Sequence, residues 1–327
     1  MARITDTRKD PAWHRFSTHT WGENEFPTTS EVMDKASLSN WDLQLEDLSQ
    51  FLPSNYKTLS DNFLVTRSDF NGGKIVLSEV GARYKEVSNE DLFQFADNIL
   101  DGGKVKWESA GVRKSGKQVW GCMSLDRDIV LDPSGANDIT KMYLIVTTSH
   151  DGSTPVLAAV SPVRVWCQNM LNFALKSSKQ TFKIRHTQTV DGKIAVAREA
   201  LGLTFKYADE FEKEAELLYN TKVTNQTFNK IVETLYPMPD SEAKIALTKW
   251  ENKIDVVKDL YLNTPHNANI KGTAWGVVNA LGERLDYHRI VRKGNTENSM
   301  AGASGFDPLV TAEKNKIVQV VKQLVRV

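Results

Sequence analysis

Residues 142–176 read MYLIVTTSHDGSTPVLAAVSPVRVWCQNMLNFALK, and the fold class turns on how this stretch is divided. Two β-rich runs, Tyr143–Thr148 and Val156–Val160, flank a polar turn that contains Asp151-Gly152. An Asp-Gly pair between such runs signals a β-hairpin, because a tight two-residue turn needs positive φ there. The second run leads into Ser161-Pro162, which reads as an N-cap followed by a first-turn proline. The spacing therefore predicts a helix from Ser161 to Lys176, with Val163, Cys167, Met170, Leu171 and Ala174 on an apolar face. Arg164, Gln168, Asn172 and Lys176 repeat every four residues on another face.

Working outward, the same turn chemistry recurs. Asn62–Arg67 and Lys74–Val80 surround Asn71-Gly72-Gly73, and Val105–Val112 and Gln118–Leu125 surround Ser115-Gly116. A helix is expected from Asn89, closed by Asp101-Gly-Gly103. Thr181–His186 reads as a strand. Beyond Thr187 the periodicity is helical: Ala195–Leu203, Ala208–Tyr219, Thr224–Leu235, Ser241–Leu262, Thr273–Arg289 and Leu309–Val325, with a polar loop at Asn295–Asp307. Hairpins without βαβ alternation indicate an α+β fold, antiparallel β-hairpins packed on helices followed by a mainly helical C-terminal part. The expected divisions are an irregular Trp-containing N-terminal cap at 1–60, an α+β core at 61–205 and a helical region at 206–327.

Composition narrows the function classes. The chain has 327 residues with 41 basic and 41 acidic side chains, so the surface as a whole does not attract polyanions strongly. Charge is uneven, however. Lys176–Arg198 holds six basic residues against one acid, whereas Asp209–Asp259 holds eleven acids and seven lysines. No apolar run reaches the roughly 18 residues of a membrane helix. The first residues, MARITDTRKDPAWHRF, show no secretory pattern, so a cytoplasmic location in a host cell is expected. Cys122 and Cys167 lie in apolar patterns and read as buried free thiols.

Catalytic signatures are scarce. The chain has no Walker loop, G-x-G-x-x-G, H-E-x-x-H or Cys-x-x-Cys motif. Ser149-His150-Asp151 reads as a polar hairpin turn, since adjacent residues do not form a relay. The six histidines show no metal-ligand spacing, and neither a cofactor nor a metal is expected. Lys271-Gly-Thr-Ala-Trp-Gly276 reads as an N-cap with Trp275 as a packing anchor. The alternative is a helix start that holds an anion.

Basic and aromatic residues interleave at Arg83-Tyr84-Lys85, Arg164/Trp166 and Lys183/Arg185/His186. This pairing suits single-stranded nucleic acid, with cations on phosphates and rings under bases. Arg164, Lys176, Lys179, Lys183, Arg185 and Lys85 are the candidate phosphate contacts, and Tyr84 and Trp166 the candidate stacking rings.

Five stretches carry a family resemblance: Val80–Asn89, Thr148–Gly152, Ser161–Asn172, Ile184–Thr187 and Lys271–Gly276. With them the chain resembles a family of phage- and plasmid-encoded proteins classed as a domain of unknown function. The resemblance implies a mobile-element origin and action inside the cell, and it transfers no catalytic residues. In element order, Tyr84–Leu175 is also similar to the core of single-strand annealing recombinases of the Red-beta superfamily. That similarity implies rings or helical filaments with DNA in a basic groove. The leading expectation is thus an oligomeric single-stranded-DNA-binding or annealing protein without covalent chemistry, acting in recombination or replication. One alternative is an interaction module that disables a host factor. Another is an enzyme drawing on Asp151, His186, Glu283 and His288.

Overall fold

The hairpin of residues 142–164 lies in the larger of two antiparallel sheets in the computed structural model. The structure describes His14 and residues 17–56, 61–69, 71–100, 105–164, 167–168, 181–183, 190–240, 243–288 and 308–326. In chain order the elements are β1 (His19–Thr20), α1 (Thr29–Lys35), β2 (Gln44–Asp47), β3 (Asn62–Ser68), β4 (Lys74–Gly81), α2 (Asn89–Leu100), β5 (Val105–Arg113), β6 (Gln118–Leu131), β7 (Asp138–Ser149), β8 (Leu157–Arg164), β9 (Cys167–Gln168) and β10 (Thr181–Lys183). Helices α3 (Val190–Asn220), α4 (Asn225–Leu235), α5 (Lys244–Leu262), α6 (Ala274–Tyr287) and α7 (Pro308–Val325) follow. The fold is α+β, with a helical C-terminal region.

The large sheet runs β1-β5-β6-β7-β8-β10, with β9 also paired to β8; the small one runs β2-β3-β4. Period-two alternation splits the large sheet into two apolar faces. Val119, Met123, Leu144, Val146 and Val160 join the main core with the helices. Trp120, Cys122, Tyr143, Ile145 and Val163 form a separate cluster. A sheet buried on both faces produces near-continuous apolar runs, as in Met142–Val146.

Two expectations for the opening stretch are corrected. Residues 157–164 are strand, not helix, and Ser161-Pro162 does not start one: Ser161 pairs with Tyr143 and Pro162 with Met142 across β7–β8. The proline is tolerated because β10 covers β8 only at Leu157–Ala159 and β9 only at Val163–Arg164. Pro162 falls in the interval between them, where a missing N–H interrupts no described ladder. The rest of the expected helix, from 169 to 176, lies outside the described residues. The Asp151-Gly152 hairpin is antiparallel, but its connection spans residues 150–156 rather than two residues. Ser149 Oγ donates to Thr154 O at 3.0 Å and accepts from Thr154 N at 2.8 Å, while Asp151 accepts from Ser153 N. Gly152 supplies the positive φ, +69°.

The other hairpins and the Asn89 helix fall where the turn signals put them. The two expected helices between Ala195 and Tyr219 are one helix, α3, because nothing between Leu203 and Ala208 breaks it. Met170 and the Asn295–Asp307 loop lie outside the described residues, as does the side chain of Cys167. Cys122 is buried and free, and burial pushes its thiol pKa well up.

Candidate functional site

A spacious concavity lies where β4 and the residues after it meet the β7–β8 connection. It encloses about 980 Å³. Its walls come from Asp61–Asn62, from Glu79–Lys85 with Val87, and from Thr148–Ser149 and Asp151–Val156, Ser153 excepted. Two stretches far apart in sequence, Gly81–Lys85 and Ser149–Gly152, are thereby brought face to face.

Local structure explains the placement. Tyr84 N donates to Gly81 O at 2.9 Å, closing a turn at the end of β4. That turn presents Arg83 and Lys85 to solvent and leaves Tyr84 half-buried between them. The Tyr84 hydroxyl donates to Ser149 O at 3.3 Å, and its ring lies against Gly152, where an added Cβ would sit 3.5 Å from Cδ2. Burial, followed by the charges of Glu86 and Asp151, pushes the phenol pKa up to about 12. At Asp151 burial pulls the pKa upward, yet bonds from Ser153 and Ser149 and the charge of Lys114 hold the carboxyl below its usual range.

Lys114 belongs to the β5–β6 hairpin tip, Arg113-Lys-Ser-Gly-Lys117. Three successive residues there have positive φ: Lys114 (+50°), Ser115 (+56°) and Gly116 (+89°). The tip is seated by Gly116 under the Trp41 ring and Leu77, leaving Lys114 exposed beside the Asp151 connection. Sequence reading took this segment only as a turn; its three cations in five residues were the available signal.

Beneath the connection lies His150, fully buried. It stands at the expected hairpin turn, with its ring buried. Asn89 Nδ2 donates to Leu38 O, so Asn89 Oδ1 is the acceptor for His150 Nε2 at 3.0 Å. Ser78 Oγ donates to His150 O, and His150 N donates to Lys117 O. These bonds tie β4, α2, the 113–117 tip and the residue before Asp151 together.

Arg164 is not a phosphate contact. It is 3% exposed and fully committed inside the protein. Its Nε donates to both Asp138 oxygens at 2.7 and 2.9 Å, Nη1 to Asn267 Oδ1 at 2.8 Å, and Nη2 to His266 O at 2.9 Å and Asn269 Oδ1 at 3.1 Å. Trp275 Nε1 completes Asp138 at 2.8 Å. This cluster joins β7 and β8 to the turn Pro265–Ile270 and to α6. Thr273 caps α6 by accepting from Gly276 N, and Trp275 is fully buried, so Lys271–Gly276 is the cap and packing anchor.

Of the remaining sequence candidates, Lys85 and Tyr84 are together at the cavity. Lys176, Lys179, Arg185 and Trp166 lie outside the described residues, as does His186. Lys183 is placed by its backbone opposite Leu157, on the outer edge of β8. Glu283 and His288 meet, but with His266 rather than Asp151: Glu283 lies 2.7 Å from His266 Nε2 and 3.9 Å from His288 Nε2. Burial favours the neutral acid, but the two imidazoles bring Glu283 down to about 2. Among the described residues no group of three or more His, Cys, Asp or Glu is arranged to hold a metal ion.

The family model DUF932, Domain of unknown function, matches residues 76–304. The chain belongs to the DUF932 family. No curated protein and no solved structure matches it. The DUF932 match takes in both principal walls of the cavity, the hairpin tip and the Asp138–Arg164 cluster. Among the described residues no helix is long and apolar enough to cross a membrane.

Proposed function

We propose that this DUF932 protein binds single-stranded nucleic acid, with the Tyr84 cavity taking a base and Arg83, Lys85 and Lys114 taking phosphates. The observation that carries the proposal is a half-exposed tyrosine ring between two exposed cations at a cavity of about 980 Å³. Stacking on such a ring is sequence-tolerant, because every base has a π-face, and contributes roughly 1–3 kcal/mol per base. Lys114 extends the cationic rim across the Asp151 connection. It stands in for Arg164, whose charge is internal. An annealing role in recombination or replication, of the kind expected for a mobile-element protein, extends the proposal. A ring or filament of subunits is part of the same proposal.

Fluorescence anisotropy with a labelled oligonucleotide across a salt series tests it. Three phosphate contacts at about −0.7 each imply a slope of log K against log salt near −2. Arg83→Glu/Lys85→Glu/Lys114→Glu should weaken binding and flatten that slope. Tyr84→Leu should weaken binding by roughly 5- to 150-fold while leaving the slope unchanged. Absence of binding at low salt, or indifference to the triple charge reversal, would remove the proposal.

A second reading, docking of a host protein, rests on exposed apolar residues in and beside the small sheet: Leu45, Phe51, Tyr56, Ile75 and Val76. Val76→Lys distinguishes the two, since it should abolish protein docking and leave oligonucleotide affinity unchanged.

A further inference from the structure

We infer that His150 is a positioning residue for the Tyr84 cavity: from beneath, its ring bond to Asn89 holds the Ser149–Gly152 wall against the Tyr84 ring. The inference rests on the single-strand reading and adds what keeps that site in its binding shape.

The contacts that Tyr84 makes across the cavity are light. Its hydroxyl reaches Ser149 O at 3.3 Å, long for an O–H···O bond, which is typically about 2.7–2.8 Å. Its ring lies beside Gly152. Bonds inside the connection, Ser149 with Thr154 and Asp151 with Ser153, shape it but do not tie it to β4. His150 supplies the ties. It stands between two lining residues, Ser149 and Asp151, yet does not itself line the cavity. Its backbone is held by Ser78 of β4 and by Lys117 of the 113–117 tip. Its ring, fully buried, reaches Asn89 of α2 at 3.0 Å. Asn89 is fully buried as well and is fixed on Leu38 O at 2.9 Å, so the acceptor does not turn away. Trp41 lies 5.7 Å from the imidazole, centroid to centroid, with its own Nε1 anchored on Ser37 O at 2.8 Å.

The backbone ties survive a substitution at 150, and the ring tie does not. Without it the wall loses its link to α2, and the Tyr84 ring is no longer held from that side. A base would then have to order the ring and the wall on arrival. Ordering one side chain at an interface weakens binding by about 2- to 12-fold. The phosphate contacts of Arg83, Lys85 and Lys114 are untouched, so the number of counterions released, and with it the salt slope, stays the same. Preorganisation of this kind differs from a contribution to folding. A residue that only stabilises the fold changes the folded fraction and leaves the affinity of the folded molecules as it was.

Anisotropy with a fluorescein-labelled oligo(dT) at pH 8, where His150 is neutral, tests this. His150→Leu fills the space without a donor. His150→Gln carries an amide N–H₂ where Nε2 stands and keeps the bond to Asn89 Oδ1. The expected result is binding weaker by about 2- to 12-fold in His150→Leu at an unchanged salt slope, with affinity restored in His150→Gln. Asn89→Ala removes the acceptor from α2 and should match His150→Leu; it decides the question if His150→Leu does not fold, with thermal melts as the check. In a Tyr84→Leu background His150→Leu should cost nothing more, because the ring it positions is gone. Folded His150→Leu or Asn89→Ala protein that binds like the wild type, equal losses in His150→Gln and His150→Leu, or a loss undiminished in the Tyr84→Leu background would each overturn the inference while the single-strand reading stands. If the wild type binds no oligo(dT) at low salt, that reading falls, and this inference with it.

Discussion

His150 shows how a single side chain can tie the candidate site to the stability of the whole chain. Its Nε2–H is engaged by Asn89, while Nδ1 is buried without a hydrogen-bond partner. Burial pulls the imidazole from 6.5 down to about 4, against the opposing charge of Asp151. The unfolded chain therefore takes up the proton first as pH falls. Stability from this residue is complete above about pH 6.5, declines between 6.5 and 4, and is constant below. At about 1.4 kcal/mol per pH unit the loss amounts to about 3 kcal/mol. Denaturant unfolding at a series of pH values should show this decline, and His150→Gln should flatten it between pH 6.5 and 5. Glu283 acts with the same sign in a lower window, since its depressed carboxyl stabilises the fold above about pH 4.5 and loses that effect toward 2. Arg164 allows a complementary experiment. Arg164→Met strands the buried Asp138 carboxylate, and removing one partner of such a pair costs about 3–5 kcal/mol. Unfolding free energy should drop by that amount, while oligonucleotide affinity of the folded fraction stays unchanged. A parallel loss of affinity would return Arg164 to the binding surface.

At the scale of elements, turn chemistry was the most legible signal in the sequence. Asn71-Gly72-Gly73, Ser115-Gly116 and Asp151-Gly152 each mark a real strand connection, since positive φ restricts the residues a turn accepts. The extent of β8 was not legible. A strand buried on both faces has no polar alternation, so its apolar residues fit a helical face as well as a strand, and Ser161-Pro162 decided wrongly. The arrangement of the site was hidden for a different reason. Tyr84 and Lys85 could be read as a local pair, but the proximity of Asp151 and Lys114 is tertiary. Within helices, glycines separate packing from propensity. A Cβ at Gly276, in the first turn of α6, would lie 2.4 Å from Ile270 O, so the helix and the Pro265–Ile270 turn would have to part. Gly276→Ala should destabilise by about 1–3 kcal/mol. At Gly202, exposed in α3, an added Cβ meets nothing within 4 Å. Gly202→Ala should stabilise by about 0.5–1 kcal/mol through helix propensity alone. Paired thermal melts read both signs.

The whole molecule is built by closing a helical region onto a sheet, and charged residues do much of the closing. The Asp138–Arg164 pair fastens β7 and β8 to the Pro265–Ile270 turn, and the fully buried Lys314–Asp286 pair fastens α7 to α6. Arg127 on β6 binds Asp209 and Glu212 of α3, and Lys322 of α7 binds Glu214. Thus part of the acidic stretch beginning at Asp209 is neutralised within the chain rather than offered to a partner. Glu251, Asp255 and Asp259 follow one another four residues apart along α5. In sequence, the basic stretch Lys176–Arg198 is its complement in sign, though its side chains lie outside the described residues. Unlike patches at two different places on one surface associate head to tail, which gives rings or filaments instead of a closed dimer. Light scattering at micromolar concentration in low salt should therefore report a mass well above 36.7 kDa. Raising salt from about 0.1 to 1 M shortens the screening length from about 10 to 3 Å and should reduce that mass. Glu251→Lys/Asp255→Lys should reduce it in low salt too, without changing the affinity of the Tyr84 cavity for an oligonucleotide. A 36.7 kDa particle at every salt concentration, with and without oligonucleotide, would eliminate charge-driven assembly and leave the cavity as a monomer's binding site.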